Sequence, residues 1–146
     1  MEFTQSIALF LIPIAVGITT EFIKFINYIR KHGFDINYSI AYGHMPSAHT
    51  AYVTSLVTTM WLFEGYRSPV FAIALIMAII VIMDAVRLRV YMGQYAQHIN
   101  HLVQHLKLDE GEFPKLKERV GHKPEEVIVG ALCGIGFTML IFAFLN

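Results

Sequence analysis

Gly43-His44-Met45-Pro46-Ser47-Ala48-His49-Thr50, residues 43–50, is the stretch whose reading decides the fold. It is a polar knot set directly against a long apolar run from Ala51 through Trp61, Leu62 and Phe63. Proline suits the first turn of a helix, where its missing N–H costs nothing. The run after His49 therefore reads as a membrane-embedded helix, with Ser47 and His49 at its mouth. Free N–H groups and the helix dipole favour an anion at such a mouth. The layout recurs downstream: Gly121-His122-Lys123-Pro124-Glu125-Glu126 precedes an apolar helix to Leu145. Two histidines at two helix mouths point to phosphate chemistry at a membrane surface.

Composition agrees with that environment. Of 146 residues, 55% are hydrophobic and 15% charged, and the apolar residues come in blocks, which fits one small domain over residues 1–146. Eleven basic and eleven acidic residues balance, so no general basic field exists for nucleic acid. The lone Cys133, inside an apolar run, excludes an intramolecular disulfide and a cysteine-based zinc site.

A spanning helix needs ~20 mostly apolar residues. Phe3–Phe25, Pro46–Phe63, Pro69 to about Val90, and Glu125–Leu145 meet this approximately. The first block has no basic leader or cleavage site and is expected to remain as an anchor. Tyr28–Gly43 reads as a polar connector, and Glu64–Pro69 as a tight turn. Gln94–Leu106 carries apolar residues at Ile99, Leu102, Val103 and Leu106, the pattern of an amphipathic interfacial helix. The expected fold is an all-α integral membrane bundle of about four transmembrane helices plus that interfacial helix. Four spans put ten of the eleven Lys and Arg residues on one side, leaving only Arg67 on the other. The positive-inside rule makes the richer side cytoplasmic, with every candidate site residue on it, in the cell (inner) membrane.

Several side chains could carry chemistry. His122 and Glu126, four apart, share a helix face, and a carboxylate on one imidazole nitrogen fixes the tautomer and strengthens the other as a nucleophile. His49 in the other mouth could protonate a leaving oxygen, with Ser47 beside it as a hydrogen-bond donor. Lys24 ends the first span with Glu21 one turn earlier; snorkelling to the interface would also explain it. Asp84, Arg87 and Arg89 end the third span. Helical geometry pairs Asp84 with Arg87 at i,i+3 and points Arg89 away. His98, His101 and His105 fall on one helix face, but an interfacial helix accounts for them better than a metal site.

Met45-Pro46-Ser47-Ala48-His49, Asp84-Ala85, Gly93, Ala96, Asn100, Leu116-Lys117-Glu118 and Gly121-His122-x-Pro124-x-Glu126-Val127, with Gly130 beyond, together resemble the divergent branch of the type 2 phosphatidic acid phosphatase superfamily. The likeness runs from about Glu21 to Gly134, in the family's order. It implies a hydrolase acting on a lipid phosphate monoester or pyrophosphate, with no metal or other cofactor. By resemblance, His122 would form a phosphohistidine, Glu126 would orient it, and His49 would be the general acid. Ser47, Lys24 and an arginine would hold phosphoryl oxygens. The sequence departs from the pattern at Ala48 (usually glycine), Glu126 (aspartate), Glu21 (glutamine), Lys31 (arginine) and Leu116 (arginine). In the branch's third-span motif Arg89, not Arg87, falls on the first arginine, so both are carried as phosphate contacts with Asp84, with Arg89 preferred because a helix can unwind near its end. The rival reading is a non-catalytic protein that binds or transports a phospholipid headgroup in the same pocket; a metal-binding role for the seven histidines ranks last. Partners are membrane lipids, the lipid phosphate itself, and a second copy of the chain. For that homodimer, Gly130, Ala131, Gly134 and Gly136 offer a small-residue face, which packing within one subunit would explain equally well.

Overall fold

The structure is a computed structural model that describes residues 2–33, 45–109, 111–118 and 120–145, without the side chains of 2–6, 31 and 32. Among these residues it is all helical. The order is α1 (Glu2–His32), α2 (Ala48–Glu64), α3 (Pro69–Met83), a π-helical turn (Asp84–Leu88), α4 (Arg89–His105) and α5 (Pro124–Leu145). The first helix runs on through the start of the expected connector, and the rest of that connector, with Gly43 and His44, lies outside the described residues.

Packing is inverted relative to a water-soluble bundle. Phe10, Ile73, Leu132 and Phe144 are 73%, 66%, 64% and 89% exposed, whereas Thr20, Thr50, Ser55, Thr59 and Thr138 are wholly buried. A large apolar exterior over a polar, small-residue interior is what lipid as solvent selects, because burying leucine gains nothing there and close backbone contact does. The buried hydroxyls are satisfied locally. Thr20, Thr58, Thr59 and Thr138 each donate to the carbonyl four residues back, at 2.7–2.8 Å.

The central element is α2, which packs on α1, α3 and α5. Three helical stretches are long and apolar enough to cross a membrane: Ile7–Arg30, Pro69–His105 and Pro124–Leu145. With 17 residues, α2 extends only ~25 Å, short of a ~30 Å hydrocarbon core. Its polar mouth thus stands inside the shell of its neighbours, and α2 completes the bundle of about four helices. At its far end Gly65, at φ +82°, turns the chain and returns its N–H to the Trp61 carbonyl, before Ser68 caps α3 and Pro69 opens it. On α3 only Ala74 and Ala78 are buried, one turn apart.

One sequence expectation changes here. The third span and the interfacial helix are one unbroken helical stretch, Pro69–His105, joined through the π turn. Of the two packings open to the small-residue face, Gly130 and Gly134 adopt the one within the chain. A Cβ on Gly130 would overlap the Ser47 carbonyl oxygen, and one on Gly134 would overlap Thr54 Oγ1 and press on the Ala51 carbonyl. The stripe Glu126, Gly130, Gly134 and Thr138 faces α2 because a four-residue step keeps nearly to one side of a helix. Gly136 meets open space.

Candidate functional site: two helix mouths joined

The second mouth is built by the first turn of α5. Pro124 starts the helix, so His122 and Lys123 precede it and Glu126 comes one turn on. The Glu126 Oε2 accepts from the Lys123 N–H at 3.1 Å, a helix-start bond made by an acidic side chain. The same oxygen lies 3.0 Å from His122 Nδ1, and both residues are 4% exposed. A carboxylate only accepts, so Nδ1 carries the hydrogen, and in the neutral imidazole Nε2 keeps its lone pair. The His122 N–H donates to the Ala85 carbonyl at 3.2 Å, which fixes the residue against the π turn.

The first mouth is pinned to the second through the backbone. The Ser47 N–H donates to the Glu126 carbonyl at 3.0 Å, and Gly130 lets the two chains approach this closely. Ser47 caps α2: its Oγ accepts from the Thr50 Oγ1 at 3.0 Å and from the Thr50 N–H at 3.4 Å. It is wholly buried, and with Oγ accepting twice its hydroxyl proton is what it has left to donate.

His49 follows on the α2 mouth, half-buried, with its ring centroid 6.4 Å from that of His122 and the planes 54° apart. The two rings are thus close enough to act on one bound group. Arg89, Glu21 and Lys24 are also within electrostatic reach of His49. The fold therefore brings residues from α1, α2, the π turn, α4 and α5 around one point.

The cations arrive paired. Lys24 Nζ is 2.6 Å from Glu21 Oε2, and Arg89 Nε is 2.8 Å from Asp84 Oδ2. The Asp84–Arg89 pair corrects the expected Asp84–Arg87 pairing. In a π turn hydrogen bonds run i to i+5, as the Arg89 N–H to Asp84 carbonyl bond does here. The widened turn sets the residue five on beside Asp84 and leaves Arg87 exposed on the outside. The side chain of Lys31 lies outside the described residues, and Leu116 is exposed, its backbone held by Asn100. His98, His101 and His105 are exposed on α4, and no group of three metal-ligating side chains occurs among the described residues.

A family model described as the divergent PAP2 family matches residues 5–137. The chain belongs to that family. YuiD of Bacillus subtilis (strain 168), described as an uncharacterized membrane protein, is 36% identical, with 82% of this chain and 83% of that protein covered. No solved structure matches. The match to the divergent PAP2 family encloses every residue of both mouths, from Glu21 to Glu126. Family membership and the apolar exterior make this an integral membrane protein.

Sequence reasoning gave Asn100 no role beyond the resemblance. It is 7% exposed and hydrogen-bonds Leu116 and Glu118, in the segment leading to His122. The available signal was its spacing from Gly93 and Ala96, which places a polar residue on a small-residue stripe where the helix accepts a close neighbour.

Proposed function

We propose that this divergent PAP2 protein is a membrane-embedded lipid phosphate phosphatase working through a phosphohistidine. The observation that carries the reading is the buried His122–Glu126 pair with the His49 ring centroid 6.4 Å from that of His122. His122 Nε2 attacks phosphorus and the P–O bond to the lipid alcohol breaks. His49 gives its proton to the leaving oxygen, while Lys24 and Arg89 draw on the equatorial oxygens. Water then attacks the phosphohistidine, His49 takes its proton, and inorganic phosphate leaves with Nε2 restored. The positive-inside bias supports a site facing the cytoplasm.

The test is chemical trapping. Purified protein in mild detergent is mixed with phosphatidate, a polyprenyl phosphate or phosphatidylglycerophosphate carrying labelled phosphorus, and quenched within the first turnover. Acid-labile, base-stable label on wild type that is absent from His122→Ala is the expected result.

A second reading has its own support. The Glu21–Lys24 and Asp84–Arg89 pairs give each cation a carboxylate that an incoming phosphate must displace. That arrangement also suits a protein that binds or carries a phospholipid headgroup without cleaving it. Saturable binding of the same lipids with no phosphate released and no label trapped would favour this reading over the enzyme.

A further inference from the structure

Residues 116–118 and 120–122 lie along α4 like a strap running opposite to it, and each contact falls nearer the π turn. Leu116 and Glu118 meet Asn100, the Glu118 carbonyl sits where a Cβ of Gly93 would be, Gly121 packs on Val90, and the His122 N–H reaches Ala85. The anchor at the far end is the Asn100 amide. Its Oδ1 accepts from the Leu116 N–H at 2.8 Å, and its Nδ2 donates to the Leu116 carbonyl at 2.8 Å and to Glu118 Oε1 at 2.9 Å. One short amide thus grips both backbone groups of one residue and the side chain of another. Aspartate lacks the two donors and leucine lacks everything polar.

We infer that Asn100 is a positioning residue for His122, registering the strap on α4 so that the imidazole is delivered to the π turn with Nδ1 on Glu126. The inference rests on the phosphatase reading for its kinetic consequence, but not for its structural one. Asn100 touches neither ring and acts entirely through the strap. Gly93 and Gly121 belong to the same device, because a side chain at either would lift the strap from the helix. A displacement of about 1 Å in a reacting group can slow the chemical step by ~10²-fold.

The experiment has two arms and uses the full chain in detergent. In the first, histidines are labelled with nitrogen-15 and the His122 Nδ1–H proton resonance is assigned by its loss in His122→Ala. Asn100→Ala should move or broaden that resonance, whereas Glu118→Gln, which keeps an acceptor, should leave it in place. In the second arm kcat and KM are measured on a lipid phosphate. Asn100→Ala should lower kcat ~10²-fold with KM within about twofold. Asn100→Asp sets two carboxylates against each other and should lose as much. Adding Glu118→Gln lets the glutamine donate to the new aspartate and should restore part of the rate. The swap also keeps the question open to test should the alanine variant fold poorly. An unmoved His122 resonance in both Asn100 variants overturns the inference, as does the lack of any rescue by the double variant. If wild type cleaves no lipid phosphate, the phosphatase reading fails while the resonance arm still decides the positioning role.

Discussion

The two helix mouths begin with the same sequence layout and end in different states. At α5 the histidine is buried, precedes the helix, and is held at its backbone by Ala85 and at its ring by Glu126. At α2 the histidine lies inside the first turn and is half-buried, and the capping role falls to Ser47. On the phosphatase reading proposed above, the α5 mouth suits a nucleophile, which needs a fixed lone pair, and the α2 mouth suits a proton donor, which needs access to a leaving group and to water. The difference teaches that a shared layout does not itself fix how a histidine is held; the carboxylate one turn on does.

The largest expected effect tests that division directly. His122→Ala should lose at least ~10³-fold in kcat and all trapped phosphate, as removal of a covalent nucleophile does. His49→Ala should fall ~10²–10⁴-fold on a lipid phosphate but far less on an aryl phosphate, whose leaving group needs no proton. Single-turnover assays with both substrates check this. Equal losses on both substrates for the two variants would break the comparison, because the mouths would then share one task.

Next comes the question of which arginine serves the site. Arg89→Gln should cost ~10²-fold in kcat/KM, the scale of one lost transition-state donor, and Arg87→Gln should stay within about twofold. Steady-state kinetics on one lipid phosphate decide it, and the reverse order would mean that the π turn does not persist in the working protein.

These arginines also mark how far the sequence could be read. The helix starts were legible because proline, serine and the acids of a first turn have local reasons to be there. Pro69, Pro124 and Glu126 stand in the roles their chemistry dictates, whereas Pro46, expected in the first turn of α2, precedes the Ser47 cap of a helix that starts at Ala48. What failed was every inference that assumed α-helical period beyond its range. Arg87 was paired with Asp84 by counting three residues along an α-helix, and nothing in Asp84-Ala85-Val86-Arg87-Leu88 announces a π turn. Gly130 and Gly134 were correctly legible as a close-contact stripe, yet spacing cannot say which helix makes the contact. Their partner is α2, whose density of Ser and Thr was the overlooked sign of a buried helix. The strap on α4 was hidden for a different reason, since a loop docked by one asparagine leaves no period at all.

The glycines give the third contrast, now in stability. Gly134→Leu should destabilise the protein by about 3 kcal/mol, the upper range for overpacking, because the added side chain meets α2 backbone that cannot swing aside. Gly136→Ala, pointing into open space, should stay within ~0.5 kcal/mol. Unfolding by dodecyl sulfate in mixed micelles measures both, and activity should fall with Gly134→Leu because the mouths separate. Similar stabilities for the two variants would place the α2–α5 seam somewhere other than this stripe.

The smallest effect lies deepest in that seam, where Ser55 Oγ and Thr138 Oγ1 are 2.6 Å apart. The direction of this bond follows from its neighbours. Thr138 Oγ1 gives its one proton to the Gly134 carbonyl at 2.7 Å, so it must accept from Ser55. Thr138→Val removes the acceptor, but the Ser55 hydroxyl can turn to a carbonyl of its own helix, as serines in helices do. Ser55→Ala removes the donor and leaves Thr138 still bonded to Gly134. Neither variant strands a buried proton, so each should cost only about 0.6 kcal/mol, the average for interhelical hydrogen bonds in membranes. A double-mutant cycle on the same unfolding assay should return a coupling of that size. A coupling above ~1.7 kcal/mol would exceed the largest such bonds measured and show that the hydroxyl pair, rather than the glycine contact, holds the two mouths in register.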